Sequence, residues 1–228
     1  MSKKPSTLSN DVFKQIRDDI VEGVIQQGQK IVEVNLAKQY NISRGPLREA
    51  LHQLEYINLV IRTPHSGSRI TILDYTKIRE LYEMREATES FATRLAAINM
   101  TRADIDEMYR LIDHHKDYIK TSGDHLYIQQ EGNEGFHRFI YSRCGNEWLS
   151  NHIEVRLYYL IRMCKKYILK TPARAEIAIV EHTAIANAIS NRDPDFAEML
   201  MRRHIQGTWK ALKIISDEES LKNMKTFD

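Results

Sequence analysis

The chain has 228 residues, of which 42% are hydrophobic and 28% are charged, and its formal net charge is +2. This composition fits two modest globular domains and requires no long disordered region. No run approaches the roughly 20 apolar residues that span a bilayer, and the N-terminus lacks a signal-peptide pattern, so we expect a cytoplasmic protein without a membrane anchor. Cys144 and Cys164 form no Cys-x-x-Cys pair, which argues against a disulfide framework or a sulfur-ligated zinc site.

The first seventy or so residues predict three helices followed by two short strands. Helical spacing of apolar residues places the first helix in 11–24, and a second helix covers 34–40. The third begins at Ser43, whose hydroxyl is expected to accept a backbone hydrogen bond from the first turn. Residues 59–62 and 69–72 are β-prone and flank a turn-rich loop. This order predicts a helix-turn-helix with a two-stranded wing.

The third helix offers two guanidinium groups on one face, because Arg44 and Arg48 lie four residues apart. Taken alone, this pair is more typical of an ordinary amphipathic helix with solvated arginines. Residues 1–72 contain ten Lys/Arg and seven Asp/Glu, whereas the remaining chain contains 23 and 24. The charge difference favours DNA binding by the N-terminal part only weakly.

Residues 8–72 resemble the GntR family of bacterial winged helix-turn-helix transcription regulators. The resemblance rests on Leu36-Ala37 in the second helix, on Ser-Arg-Gly-Pro-Leu-Arg-Glu-Ala-Leu at 43–51, and on the glycine-containing wing at 65–69. None of the departures from the family pattern removes an expected contact residue. The departures are Gln27 where proline is usual, Gly45 where threonine is common, and Asn58 where glycine is usual.

The GntR resemblance implies that the third helix enters the major groove of double-stranded DNA, where an arginine can bond two guanine acceptors. The wing is then expected to approach the minor groove or the phosphate backbone. It also implies a homodimer on a two-fold related operator. The implied DNA-binding residues are Ser43, Arg44, Arg48, His65, Gly67 and Arg69.

The second domain is predicted to span 73–218, followed by a tail at 219–228. Its periodicity is helical almost throughout. The predicted caps that mark helix starts are Asp74, Thr101 with Asp104, Asn146 and Asp193. The fold class is therefore mainly α, with the winged domain followed by an antiparallel bundle of about six helices. The predicted helices are 74–99, 101–121, 124–143, 147–169, 173–190 and 194–215.

Three histidines of the second domain, His137, His182 and His204, lie beside apolar residues on predicted helices. Asn133 precedes His137 by four residues, so both share a helix face, and histidines from two other helices could complete a ligand set. Singly, each histidine is more typical of a hydrogen-bonded core residue, and sequence separation does not establish that they converge. The histidines interpreted instead as solvent exposed are His114, His115 and His125.

Residues 74–215 resemble the FCD effector domain of the FadR subfamily, in its shorter VanR-like arrangement of six helices. Metal-binding members show Asp-x-x-x-His, then His, then His on successive helices. The resemblance therefore implies a divalent metal such as Zn or Ni as cofactor, although Asn133 replaces the usual aspartate. The implied metal ligands are Asn133, His137, His182 and His204.

A neutral Asn-His-His-His site would leave the metal with its full charge, which favours an anionic second ligand such as a small carboxylate. Arg85 matches the arginine that holds the ligand's carboxylate in related domains, and its planar fork suits that group. The alternative is a solvated Arg85 paired with Glu89, one helical turn further on.

These patterns together indicate a ligand-responsive transcription regulator, a repressor whose operator binding is modulated by a small organic acid. A metal-dependent hydrolase is the alternative from another class, but the chain contains no HExxH signature, and we expect no enzyme. In a third interpretation, the helical half serves only dimerisation, and DNA affinity is then indifferent to small acids.

Overall fold

The structure is a computed structural model that describes residues 8–122, 132–168 and 172–215, apart from some side chains near helix ends. The chain divides into two compact units between Leu73 and Asp74, and the stretch 159–163 is grouped with the first unit. None of the described helices is both long and apolar enough to cross a membrane. The predicted tail at 219–228 lies outside the described residues.

Three helices form the core of the first unit: α1 (Leu8–Val21), α2 (Glu33–Gln39) and α3 (Arg44–Tyr56). Helix α1 packs against α3 through fully buried residues such as Ile16 and Leu54. Helix α1 ends at Val21, three residues before the predicted end, because the chain turns at Gly23, whose φ is +72°.

The wing is an antiparallel sheet of three strands in the order β1 (Lys30–Ile31), β3 (Gly67–Ile70), β2 (Val60–Thr63). Lys30 pairs with Arg69, and Ile61 pairs with Arg69 from the other side. Strand β1 was not predicted, since two residues are too short to show an alternating pattern. Strand β3 also starts and ends two residues before the predicted strand.

Two departures from the GntR pattern have structural roles in this unit. Asn58 has a φ of 62°, a left-handed conformation that glycine and asparagine tolerate best, which explains why glycine is usual there. The side-chain Oε1 of Gln27 accepts a hydrogen bond of 2.8 Å from the backbone N–H of Leu73. Gln27 therefore ties the end of the wing to the loop after α1.

The second unit is helical throughout its described part, as predicted. A π-helical turn at Ile153–Leu157 joins α7 to α8 without a break, so the described residues after 73 contain the six predicted helical segments. Helix α4 packs against α6, α9 and α10, and α5 packs against α6 and α9. The helices are α4 (Tyr75–Asn99), α5 (Arg102–Ser122), α6 (Gly132–Ser142), α7 (Glu147–His152), α8 (Tyr158–Ile168), α9 (Pro172–Ser190) and α10 (Pro194–Ile215).

The predicted cap signals account for where these helices begin. The Asp74 carboxylate accepts from Lys77 N at 2.9 Å, and Asn146 Oδ1 accepts from Leu149 N at 3.0 Å. Thr101 and Asp104 bond reciprocally: Asp104 Oδ2 accepts from Thr101 N at 2.9 Å and Thr101 Oγ1 accepts from Asp104 N at 3.2 Å. These local bonds fix the helix registers that bring the side chains of the second unit together.

Candidate functional site

The recognition helix α3 is exposed along the face that carries its predicted DNA-binding residues. Ser43 occupies the N-cap position with φ −79° and ψ 164°, but its hydroxyl makes no capping hydrogen bond, so that part of the prediction is wrong. The third helical residue, which usually donates to such a cap, is Pro46 and has no N–H. The Ser43 hydroxyl therefore does not cap the helix, and the residue is exposed to solvent.

Arg44 and Arg48 are both exposed on α3, one turn apart. Arg48 Nε donates to Glu33 Oε2 on α2 at 2.9 Å, and 61% of the arginine side chain is accessible to solvent. An exposed ion pair of this kind is worth about 0–1 kcal/mol, so a base edge or a phosphate can replace Glu33 at little cost. Arg48 also lines a groove that continues to Arg62 and Ser68 in the wing.

The wing tip is a tight turn in which His65 and Gly67 have φ values of 64° and 84°. The turn is closed by a hydrogen bond of 3.1 Å from Ser66 N to Thr63 O, and His65 is exposed at the tip. Arg69 is less available, because its Nη1 donates to the backbone carbonyl of Gly28 at 3.2 Å. His65 thus presents an imidazole to solvent at this tip, and the positive φ of Gly67 allows the tight turn.

The three predicted histidines converge inside the second unit. His137 on α6, His182 on α9 and His204 on α10 are 5%, 1% and 3% exposed. Each offers a nitrogen that lies within 4.8 Å of the others, and the Nε2 atoms of His137 and His204 are 3.1 Å apart. Asn133 lies in the first turn of α6, but its side chain is outside the described residues.

Two carboxylates orient two of these imidazole rings. Glu89 Oε2 lies 2.8 Å from His137 Nδ1, and Glu181 Oε2 lies 2.6 Å from His204 Nδ1. An ionised carboxylate only accepts, so each Nδ1 carries a hydrogen, and in the neutral rings each Nε2 carries a lone pair. The two lone pairs then face each other across 3.1 Å, an arrangement that a shared cation relieves.

These residues fit a divalent metal ion. Two nitrogens that each lie about 2.1 Å from one metal ion, with an N–metal–N angle of about 90–109°, are roughly 3.0–3.4 Å apart. The distance of 3.1 Å between the Nε2 atoms of His137 and His204 falls in that range. Burial lowers the pKa of His137 to about 3, although the hydrogen bond to Glu89 and its charge oppose that shift. His137 is therefore the neutral imidazole that metal ions require.

Arg85 and Glu89 form a buried ion pair along α4. Arg85 Nε donates to Glu89 Oε1 at 2.6 Å and Nη2 to Oε2 at 3.4 Å, and the two residues are 2% and 3% exposed. Burial alone would raise the pKa of Glu89, but Arg85 and then His137 hold that pKa well below its usual value. The pairing of Arg85 with Glu89 is thus observed, in the protein interior rather than in solvent.

Glu89 binds Nε and Nη2 of Arg85, which leaves Nη1 outside this ion pair. Within the described residues, neither Arg85 Nη1 nor Tyr82 Oη has a hydrogen-bond partner of ordinary geometry, although both atoms are buried. The Tyr82 ring lies beside the guanidinium, with Arg85 Cζ 5.0 Å from the ring centroid, so the two groups interact with each other. These two polar atoms on neighbouring turns of α4 thus lie outside the hydrogen bonds to Glu89.

Sequence reasoning missed His115, which was interpreted as exposed and is 1% exposed. His115 continues the buried face of α5 at helical spacing from Met108 and Ile112, so helical periodicity would have identified it. Its ring centroid lies 6.1 Å from that of His182, and Phe136 stacks on His182 at 4.1 Å. The histidine cluster thus has an aromatic wall on one side.

A winged helix-turn-helix unit followed by an all-helical unit defines a class of DNA-binding transcription regulators. Residues 8–70 match the bacterial regulatory proteins of the gntR family, and residues 80–207 match the FCD domain. The chain belongs to the GntR family and carries an FCD domain. The family consists of DNA-binding regulators, so the chain is not an enzyme, and the hydrolase alternative is set aside.

Relatives align over nearly their whole length. The HTH-type transcriptional regulator YdhC of Bacillus subtilis is 25% identical over 215 residues, which cover 94% of this chain and 95% of YdhC. The HTH-type transcriptional repressor RspR of Escherichia coli is 24% identical over 213 residues, which cover 93% of this chain and 92% of RspR. The probable D-xylose utilization operon transcriptional repressor of Paenarthrobacter nicotinovorans is 26% identical over 201 residues, covering 85% of each chain.

Solved structures share the fold at lower identity. Escherichia coli McbR/YncC superposes with a TM-score of 0.70 at 21% identity, covering 93% of this chain and 99% of that chain. A putative transcriptional regulator GntR from Rhodococcus sp. RHA1 superposes with a TM-score of 0.71 at 16% identity, covering 91% of this chain and 98% of that chain. These likenesses support the winged and helical architecture described above.

Arg85→Met is expected to lower the free energy of unfolding by about 3–5 kcal/mol, because it leaves the buried Glu89 carboxylate without its main counter-charge. Arg79→Met is the matched control, since Arg79 pairs with Glu83 on the same helix but both side chains are exposed. That exposed pair is worth about 0–1 kcal/mol. Chemical denaturation followed by circular dichroism measures both losses, and equal losses would contradict the importance of the buried pair.

Proposed function

We propose that this GntR regulator is a homodimeric repressor whose operator binding responds to a small organic acid held at a metal ion in the helical unit. The observation that carries the proposal is the convergence of His137, His182 and His204 on one buried point. The repressor assignment is supported by two relatives described as repressors, RspR and the D-xylose operon regulator.

The histidine cluster supports a divalent metal as resident cofactor. Three neutral imidazoles suit Zn, Ni and similar ions, and the carboxylates behind His137 and His204 hold the rings in the ligating tautomer. When bound, such an ion supplies a positive centre with coordination positions left for a second ligand. His137, His182 and His204 would hold the ion, with Asn133 as the fourth candidate ligand.

A small carboxylate is the effector class that best fits the surroundings. A metal held by neutral side chains attracts an anion, and Arg85 Nη1 with Tyr82 Oη offers hydrogen bonds on the same helix as Glu89. This differs from the bidentate contact expected from sequence, because the arginine fork already binds Glu89. Arg85 is therefore proposed to bind the effector through its charge and a hydrogen bond from Nη1 rather than through a bidentate contact.

The outer face of α4 supports dimerisation through a second copy of the chain. Met84, Phe91 and Ile98 recur every seven residues along this helix and are 43%, 43% and 57% exposed. A seven-residue repeat keeps apolar side chains on one line, which is the pattern of helices that pack along their length. A self-complementary stripe of this kind suits an isologous dimer, and a two-fold operator requires such symmetry.

Effector binding can alter DNA affinity through α4, because this helix carries both the buried Arg85–Glu89 pair and the exposed apolar stripe. A ligand changes DNA binding only through different affinities for two arrangements of the protein, and couplings of about 1–3 kcal/mol are typical. A shift of α4 that changes how the two copies pack against each other is sufficient to change the DNA affinity in this way. DNA affinity indifferent to all small acids would favour the purely dimerising alternative.

Protein purified without chelators is expected to contain near-stoichiometric divalent metal, and His182→Ala is expected to lose it. His114→Ala is the matched control, since His114 is an exposed histidine of the same unit. Elemental analysis of untagged protein measures the metal-to-chain ratio. A wild-type chain that stays metal-free after incubation with zinc or nickel would contradict the proposed site.

Arg48→Ala is expected to weaken operator binding by about 1–3 kcal/mol and to relax one base position, as for an arginine bonded to guanine. The operator is first selected from random double-stranded DNA, and affinities are then measured by gel-shift titration. Arg102→Ala is the control for loss of one exposed positive charge in the helical unit. Unchanged affinity and unchanged base preference would remove Arg48 from the DNA-contacting set.

Phe91→Glu is expected to shift the protein from dimer to monomer, because it places a charge in the apolar stripe of α4. Ile61→Glu in the wing is the control, since Ile61 is exposed to the same extent, 43%, as Phe91. Size-exclusion chromatography with light scattering gives the mass of each variant. A dimer that survives Phe91→Glu at micromolar concentration would place the interface elsewhere.

A further inference from the structure

The helical unit contains two carboxylates that no feature of the sequence pattern assigned to the histidine cluster. We propose that Glu89 and Glu181 are positioning residues that supply, from behind the histidines, the negative charge that Asn133 cannot provide. This inference rests on the proposed metal site and deepens it. It states how a chain with asparagine at the first ligand position can still hold a divalent cation.

The hydrogen bonds of Glu89 and Glu181 determine which nitrogen of each histidine faces the cluster. Glu89 binds the Nδ1 side of His137 and Glu181 binds the Nδ1 side of His204, so both Nε2 atoms point into the cluster. The two carboxylates come from different helices, α4 and α9, and act on histidines of α6 and α10. Carboxylates in this position fix the tautomer, orient the ring and raise the basicity of the ligating nitrogen.

The two carboxylates also bring negative charge close to the histidine cluster. The Glu89 side chain is 3% exposed, so its charge is poorly screened and acts on the cluster through its contact with His137. Glu181 is 30% exposed, yet its oxygen contacts the Nδ1 of a histidine that is itself 3% exposed. An aspartate ligand would place one negative charge on the metal directly. Here two negative charges lie one imidazole ring away, and Arg85 offsets one of them.

The two carboxylates differ in how deeply they are buried. Glu89 also binds Arg85, so its position is required by the buried ion pair whether or not metal is present. The Glu89 side chain is 3% exposed, whereas that of Glu181 is 30% exposed. A substitution of Glu181 therefore tests the role of the charge with the smaller disturbance of the helical core.

The experiment compares Glu89→Gln and Glu181→Gln with Glu86→Gln in the full-length chain. Glutamine retains an oxygen that can accept the Nδ1–H bond but removes the charge. Glu86 is the matched control, because it lies on α4, contacts Arg202 at 3.0 Å and makes no described contact with a histidine. Zinc affinity is measured by competition with a chromophoric chelator after metal removal, and circular dichroism establishes that each variant is folded.

We expect Glu89→Gln and Glu181→Gln to weaken zinc binding about 10–100-fold, the usual effect of removing an outer-shell partner, while Glu86→Gln stays within about threefold of wild type. Long-range ¹⁵N–¹H spectra of the zinc-loaded wild type should show His137 and His204 ligated through Nε2 with protonated Nδ1. In zinc-free Glu181→Ala, which lacks both the acceptor and the metal that would fix the proton on Nδ1, His204 should show a mixture of tautomers, whereas zinc-free wild type should keep the Nδ1–H form. A merely structural role of Glu181 would leave these ring signals unchanged.

If both glutamine variants bind zinc as tightly as the wild-type protein, the inference about Glu89 and Glu181 is overturned, while the histidine site itself is not affected. A wild-type chain that binds no zinc would instead overturn the metal site and the inference with it. If Glu89→Gln fails to fold because Arg85 is left unpaired, Glu181→Gln decides the question alone. The two failures are thus distinguished by the wild-type protein itself.

Discussion

One buried carboxylate, that of Glu89, constrains the arrangement of the helical unit. A charge that is 3% exposed must be paired, and Glu89 is paired twice, with Arg85 on its own helix and with His137 on α6. The first pair fixes which face of α4 turns inward. The second pair fixes the ring of His137 against that face, and His137 in turn meets His204 of α10.

The inward orientation of the Arg85–Glu89 pair also determines which residues lie on the outer face of α4. If Arg85 and Glu89 face inward, residues half a turn away face outward, and these include Met84, Phe91 and Ile98. The inner face of α4 therefore contains a buried ion pair among apolar residues, and the outer face includes three apolar side chains that are 43%, 43% and 57% exposed. The buried ion pair and the exposed apolar side chains thus belong to one helix, so a displacement of that helix moves both.

The sequence predicted the elements of this fold well because the signals for helix ends are local. Asp74, Asn146 and Asp193 act as caps within three residues of their own position, and the structure confirms each of them. The sequence could not predict the roles of Glu89 and Glu181, because each contacts a histidine on another helix. Strand β1 was missed for a related reason, since its two residues become a strand only through pairing with β3.

Position-by-position comparison with a family pattern also led to an incomplete account of charge. It identified Asn133 as a neutral substitute and predicted a cation without compensation, whereas the structure places Glu89 and Glu181 behind two of the ligands. Glu89 and Glu181 each place a negative charge one imidazole ring away from the point where the three histidines converge. A family pattern compares the residues at the ligand positions only, and neither carboxylate occupies such a position. The charge around a buried cluster therefore depends on contacts between helices, which a pattern of ligand residues does not contain.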